Sequence, residues 1–348
     1  MAEFVDWDLA ASTAATFGPT GPKVTKAEAA AVVAQLRALT DEAAEHVAAF
    51  TGLHPQVAVP PVRVVDRRDW AAANVAGMRK VITPLAQQLA ARAKTSAPGA
   101  LDAVGSKITG VQAGTVLAYL SGRVLGQYEV FSGAPGQLLL VAPNVVAVER
   151  KIGADPRDFR LWVCLHEVTH RTQFTAVPWL REHFLSEVRA FVDASDVDPA
   201  ALLARVRKAV SAAADAVRDR DSKVSILDVV QSPAQRAVMD RLTALMTLVE
   251  GHAEVVMDGV GPQVIPSVHA IRARFDQRRA AANPIESLIR RLLGVDAKMR
   301  QYAEGRKFVQ GAVDQAGMAG FNRVWESPAN LPTLAELADP GAWVSRVV

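Results

Sequence analysis

The residues most able to do chemistry are two histidines that enclose a glutamate in the pentapeptide His166-Glu167-Val168-Thr169-His170. The surrounding residues 160–174 follow a helical apolar pattern without proline. On a helix, residues four apart lie one above the other, so both imidazoles can reach one metal ion while Glu167 projects beside it. This HExxH pattern predicts a catalytic zinc site, in which zinc acidifies a water molecule and Glu167 takes its proton. The competing interpretation is an ordinary surface or core histidine pair.

Catalytic zinc normally takes three protein ligands, so a third must come from elsewhere in the chain. The best candidates lie in the helical pattern of residues 248–258, where Glu250, Glu254 and Asp258 recur every four residues in an apolar segment that also holds His252. Buried carboxylates are costly unless they are paired or bound to metal. The stripe therefore favours a ligand helix, with Glu254 and Asp258 also suited to orient a histidine. The alternative is the solvated face of an amphipathic helix.

These residues carry a resemblance. HExxH followed at a distance by Glu-Gly-x-Ala resembles the gluzincin branch of the zincin metallopeptidases, and this resemblance implies Glu250 as third ligand. From the spacing alone, Glu254 is the alternative, and His252, which lies off the acidic face, is the third choice. Val249 stands where that branch has asparagine, and the separation from His170 is longer. Most of the chain also resembles a zincin-like family of uncharacterised actinobacterial proteins described as associated with coenzyme F420 biosynthesis. The segments that carry this resemblance are HEVTHRTQF, EGHAEVVMD, KMRQYAEGRKFV and the C-terminal residues 331–343. The resemblance implies a zincin fold and a zinc-dependent hydrolase activity.

Zincins usually need a further donor that faces the developing oxyanion. Tyr302 is the preferred candidate. The alternative is that Tyr302 only caps the core, with its hydroxyl group at the surface. His269 and Arg272, one turn apart, compete for this role or form a solvated basic face. Cys164 is expected to be a small buried hydrophobe rather than a ligand.

The pattern of elements predicts a mainly α (α+β) fold of zincin-like type with a small β-sheet beside the active-site helix. We expect helices at residues 26–51, 70–95 with an interruption or kink at Pro84, 199–220 and 234–259. Within the apolar stretch 108–130 we expect a buried, glycine-punctuated helix that includes Gly110, Gly114 and residues 119–126. Residues 57–65 are expected to be extended, and residues 137–143 are the best strand, suited to hold a substrate backbone. Residues 298–308 are expected to be a helix broken by its glycine. The chain is predicted to be a single unit, residues 1–348, with approximate halves 1–175 and 176–348.

Composition narrows the functional classes. The net charge is +3 with scattered basic residues, which argues against a nucleic-acid partner. One cysteine excludes an intramolecular disulfide framework, and neither a signal peptide nor a membrane span is predicted, so a cytoplasmic location is expected. The first functional hypothesis is a zinc-dependent metallopeptidase acting on a peptide or small amide. The second is a non-catalytic zincin scaffold that binds a peptide or protein partner. The presence of Glu167 favours the first, and the oligomeric state is left open.

Overall fold

The computed structural model describes residues 5–92, 100–194, 232–280 and 295–348. In these ranges helices surround one small sheet, as the sequence predicts. The elements of the first half are α1 Trp7–Phe17, α2 Lys26–Thr51, β1 Val62–Val65, α3 Arg67–Arg92, α4 Ala100–Ser121, β2 Gly126–Glu129, β3 Gln137–Val141, α5 Ala142–Ile152 and α6 Pro156–Ala176. Those of the second half are α7 Leu180–Asp193, α8 Pro233–Gly259, α9 Val268–Ala280, α10 Val295–Phe321, two 3₁₀ turns, α11 Leu334–Ala338 and α12 Pro340–Val347.

The sheet has three strands in the order β1-β3-β2. Strand β1 runs parallel to β3, with Val62 opposite Leu138, and β2 runs antiparallel to β3, with Tyr128 opposite Leu138. The predicted strand at 137–143 is confirmed over residues 137–141, all but the first of them buried. Its last two residues instead begin α5, because Pro143 suits the first turn of a helix. The predicted extended segment is confirmed in β1.

Helix α6 carries the HExxH motif through the centre of the molecule. Asp155 caps its first turn by accepting from the Asp158 N–H, and Pro156 occupies a position where no intrahelical donor is needed. Sixteen of its residues are buried, because α2, the sheet and α8 all pack against it. The predicted helix at 160–174 is confirmed and extends further at both ends.

The glycine-punctuated helix was predicted correctly only in part. Its close packing is confirmed: a Cβ at Gly110 or Gly114 would lie 2.5 Å from a carbonyl oxygen of the segment that forms α1. The helix, α4, ends at Ser121, and residues 126–129 form β2 instead of continuing it. The prediction that Gly126 belongs to the helix is therefore wrong.

In the second half, α8 crosses α10 at two glycines. A Cβ on Gly251 would lie 2.1 Å from the Gly305 carbonyl carbon, so the two backbones touch directly beside Glu250. Helix α10 stays helical at Gly305, and its non-helical residue is Gly317, so the predicted break at Gly305 is wrong. The helices predicted at 26–51 and 234–259 are confirmed as α2 and α8. The helix predicted at 70–95 is confirmed as α3 up to residue 92, with Pro84 inside it; residues 93–95 lie outside the described residues, and the kink at Pro84 stays a prediction.

The predicted helix at 199–220 lies outside the described residues, and the division of the chain into halves stays a prediction. Among the described helices, none is long and apolar enough to cross a membrane.

Candidate metal centre

Helix α6 brings the two motif histidines together on its cleft side. Their ring centroids are 4.6 Å apart, and the two Nε2 atoms are 3.1 Å apart. His170 is buried, and the His166 side chain is 20% exposed. Two imidazole nitrogens in such contact are arranged to face a common point, as the i, i+4 spacing predicts.

Glu250 of α8 completes a group of three. Its Oε2 atom lies 3.6 Å from His166 Nε2 and 3.4 Å from His170 Nε2. One donor atom from each of these residues lies within 4.8 Å of the other two, and in the described ranges no other three His, Cys, Asp or Glu side chains meet in this way.

The donor set fits a metal ion. Glu250 Oε2 is buried and has no hydrogen-bond partner among the described residues, and the same holds for the other ring nitrogen of His166, Nδ1. A buried carboxylate oxygen left without a hydrogen bond is costly unless it binds a cation. Two imidazoles and one carboxylate are a ligand set that catalytic zinc uses.

The charges of this group support one another. Burial disfavours the imidazolium of His170, but the Glu250 carboxylate outweighs it and the pKa of His170 is raised to about 9. Burial likewise disfavours the Glu250 carboxylate, yet His170 and His166 hold the pKa of Glu250 well below its usual range. The Glu250 carboxylate and the His170 imidazolium thus favour each other's charged forms.

Glu167 lies in the same cleft, and strand β2 holds it in place. Its side chain is 6% exposed. A Cβ on Gly126 would lie 2.5 Å from Glu167 Cγ, 2.7 Å from Cδ and 2.9 Å from Oε1. Only glycine leaves room for this carboxylate at the start of β2.

A buried glutamine that the sequence did not single out joins α6 to α8. Gln173 lies one turn after His170 on α6, and its Oε1 is 3.0 Å from His170 Nδ1. Its Nε2 donates to the Val249 carbonyl at 2.9 Å and lies 3.0 Å from His252 Nδ1. Its position three residues beyond His170 was the available signal, because i, i+3 side chains on a helix meet.

A family model described as "Zincin-like metallopeptidase" matches residues 5–344. The chain belongs to the zincin-like metallopeptidase family. A crystal structure from Chloroflexus aurantiacus, titled a "putative hydrolase with a novel fold", is similar with a TM-score of 0.68 and 30% sequence identity over 98% of each chain. Comparison with curated proteins found no match.

The remaining carboxylates of this zincin-like chain's acidic stripe bind arginines instead. Glu254 contacts Arg272 Nη1 at 2.5 Å, and Asp258 contacts both Arg272 Nη2 at 2.9 Å and Arg306 Nη1 at 3.0 Å. Glu254 is buried and Asp258 is partly buried, so the stripe is not the solvated face of its helix. The expectation that Glu254 or Asp258 orients a ligand histidine is wrong, because Gln173 occupies that position on His170.

The other expected residues take different places. His252 is fully buried against Phe321 and Trp325, and burial lowers its pKa to about 3. Arg272 lies over the Trp162 ring, 5.0 Å from its centroid. His269 is exposed.

Two further expectations concern Cys164 and Tyr302. Cys164 is buried, as expected, and burial raises its pKa to about 12. Tyr302 lies on α10, but its side chain falls outside the described residues.

The zincin-like centre opens into a cleft of about 470 Å³. Its walls are mainly apolar and aromatic, and they come from β2, α6, α7, α8 and α9. They include Tyr128, Phe131, Trp162, Phe174, Phe184, Met246, Met257 and Phe275.

Strand β2 lines this cleft and forms an edge of the sheet, with no strand on its outer side among the described residues. The expectation that residues 137–143 hold the substrate is wrong. That strand, β3, is paired on both edges.

Proposed function

We propose that this protein is a zinc-dependent metallopeptidase in which His166, His170 and Glu250 hold zinc and Glu167 is the general base. The observation that carries the proposal is the meeting of two imidazole nitrogens and one carboxylate oxygen from α6 and α8, next to a second carboxylate, Glu167, that packs against Gly126 in the same cleft. This ligand set is of the gluzincin type that the sequence resemblance implies. The family assignment and the similarity to a structure titled as a hydrolase support it.

Zinc, when bound, supplies Lewis acidity that acidifies water and polarises a carbonyl group. The part of Glu167 is to take a proton from water in the cleft and to pass it to the leaving amine. Its buried position beside Gly126 restricts the rotamers that its side chain can adopt. A base held in this way loses little entropy on reaching the geometry needed for proton transfer.

The open edge of β2 is suited to bind the backbone of an extended substrate. The Leu125 carbonyl accepts from the Val141 N–H at 2.8 Å. Because hydrogen-bonded residues alternate along an antiparallel pair, the backbone groups of Gly126 and Tyr128 then face away from β3, toward the open edge. A peptide added at this edge would receive main-chain hydrogen bonds directly beside Glu167.

The side chains around the centre favour apolar substrates. Trp162, His166, His170 and Phe174 are spaced four residues apart on α6, and all four line the cleft. One aromatic ring therefore lies about 6 Å along the helix on either side of the histidine pair. We infer that the preferred peptides carry bulky apolar side chains near the cleaved bond.

The first test is the metal content of the purified protein by elemental analysis. We expect about one zinc per chain, lost in His166→Ala and Glu250→Gln. Glu254→Gln is the matched control, because it lies one turn further along α8 and pairs with Arg272 instead. It should keep zinc, whereas zinc loss from Glu254→Gln with retention in Glu250→Gln would contradict the ligand assignment.

The second measurement is hydrolysis of two sets of substrates. One is a library of internally quenched peptides that contain paired apolar residues, and the other is a set of short blocked amides. Glu167→Gln should keep zinc and melting temperature while kcat/KM falls by about 10²–10⁴, the range for removal of a general base. Glu182→Gln, on the exposed face of α7, is the control and should act as wild type. If wild type binds zinc and peptides but cleaves none, the protein is the non-catalytic scaffold.

The association with coenzyme F420 biosynthesis and the cytoplasmic location stay predictions.

A further inference from the structure

Gln173 is a fully buried amide whose polar atoms all face groups that belong to, or adjoin, the candidate metal ligands. Its three partners are His170 on its own helix and Val249 and His252 on α8. Val249 and His252 stand one residue before and two residues after Glu250. A glutamine that only filled space would leave its amide without such a complete set of partners.

These contacts determine which way the amide faces. A carbonyl oxygen can only accept, so the amide group that meets the Val249 carbonyl is the NH₂. Oε1 must then face His170 Nδ1, which donates to it. The proton of neutral His170 therefore resides on Nδ1, and the lone pair on Nε2 points to His166 and Glu250.

The second amide proton of Gln173 also points to a group on α8. Gln173 Nε2 faces His252 Nδ1 at 3.0 Å, so His252 accepts there and carries its own proton on Nε2. One side chain thus ties the backbone just before Glu250 and the ring just after it to α6. Glu250 follows His170 by 80 residues in the sequence, so this side chain joins two helices that are distant along the chain.

We propose that Gln173 is a positioning residue for the metal site: it selects the His170 tautomer that ligates through Nε2 and holds the Glu250 turn of α8 against α6. The inference rests on the proposed zinc site and adds a residue to it. Partners that bind the far nitrogen of a ligand histidine raise its basicity and orient its ring, and their removal weakens metal binding by about 10–100-fold.

The test compares zinc affinities of purified, metal-stripped proteins by competition with a chromogenic chelator. Gln173→Met, an unbranched apolar replacement, should raise the Kd for zinc by about 10–100-fold. Gln173→Glu keeps an acceptor for His170 and, when protonated, one donor for the Val249 carbonyl, so it should stay within about tenfold of wild type even if its metal-free form melts lower. Thr175→Val is the control, because Thr175 is equally buried on α6 but its hydroxyl donates only to carbonyl groups of its own helix. Its Kd should match wild type.

The recovery in Gln173→Glu separates positioning from packing, since a merely structural glutamine would not be replaced by a buried acid. Gln173→Met with wild-type affinity, or Gln173→Glu no tighter than Gln173→Met, would overturn the proposal. If Gln173→Met does not fold, Gln173→Glu alone is the test. A Kd for zinc within tenfold of wild type supports the proposal, and a larger Kd overturns it.

A measurement on wild type needs no variant. In a long-range ¹H–¹⁵N spectrum of the zinc-loaded protein, His170 should be protonated on Nδ1, and protonation on Nε2 would refute the inference. If wild type binds no zinc at all, both this inference and the proposed function fail. If wild type binds zinc and only the Gln173 results disagree, the proposed function stands.

Discussion

The substitution Gly126→Ala tests whether β2 places the general base. The new methyl carbon would lie 2.5 Å from Glu167 Cγ and 2.7 Å from Cδ. Non-bonded carbons normally approach no closer than about 3.5 Å, so the Glu167 side chain must shift by about 1 Å. Because Glu167 is only 6% exposed, it has little free space into which to move.

A displacement of this size is expected to cost activity rather than metal. A 1 Å misplacement of a catalytic group can lower the rate about 10²-fold, which corresponds to about 2.7 kcal/mol of transition-state stabilisation. We expect kcat/KM on the peptide library to fall by that factor. Zinc content should stay at the wild-type value, because the three atoms nearest to the added carbon all belong to Glu167 and none to a proposed zinc ligand.

Gly105→Ala is the matched control. The added carbon there has no neighbour within 4 Å, and the glycine lies inside helix α4. Alanine is favoured over glycine in helices by about 1 kcal/mol, so this variant should be fully active and slightly more stable. Full activity of Gly126→Ala would refute the placement of Glu167 by β2. Loss of zinc in Gly126→Ala would show that the strand supports the whole centre rather than the base.

Two further predictions concern the pH dependence of zinc binding and the crossing of α8 and α10. Since the pKa of His170 is raised to about 9 in the metal-free protein, zinc must displace a proton below that pH, and its Kd should fall about tenfold per unit from pH 7 to 8.5. Calorimetric titration in two buffers of different ionisation enthalpy measures this release, and a buffer-independent heat would contradict it. Gly251→Ala places a methyl group 2.1 Å from the Gly305 carbonyl carbon, so it should lower the free energy of unfolding by about 3 kcal/mol. Thermal melts beside Gly105→Ala check this, and equal melting temperatures would refute the direct backbone contact.

The elements that the sequence predicts well are those with local signals. Helix α2 begins and ends where its pattern predicts, because Thr25 and Glu28 form a capping box and Gly52 ends it in the left-handed conformation. Strand β2 was missed because four residues after a glycine-rich helix carry no periodicity of their own. They become a strand only because β3 lies alongside to pair with them.

The same division holds for the site. The acidic stripe of α8 repeats at period four, so spacing alone makes its carboxylates equivalent, and the sequence kept Glu254 open as an alternative ligand. The two arginines that take up Glu254 and Asp258 come from α9 and α10. Only the packing of these helices distinguishes one carboxylate from the next.

By itself the sequence determined the histidine pair, the glutamate between them and the predominantly helical class, because these depend on contacts within one helix turn. Helix packing alone decided that Glu250 reaches the histidines, that Gln173 joins α6 to α8, and that β2 presents its edge beside Glu167. Such meetings join residues far apart in the chain. Their geometry follows from how whole helices and strands bury their apolar faces against one another, which no local periodicity encodes.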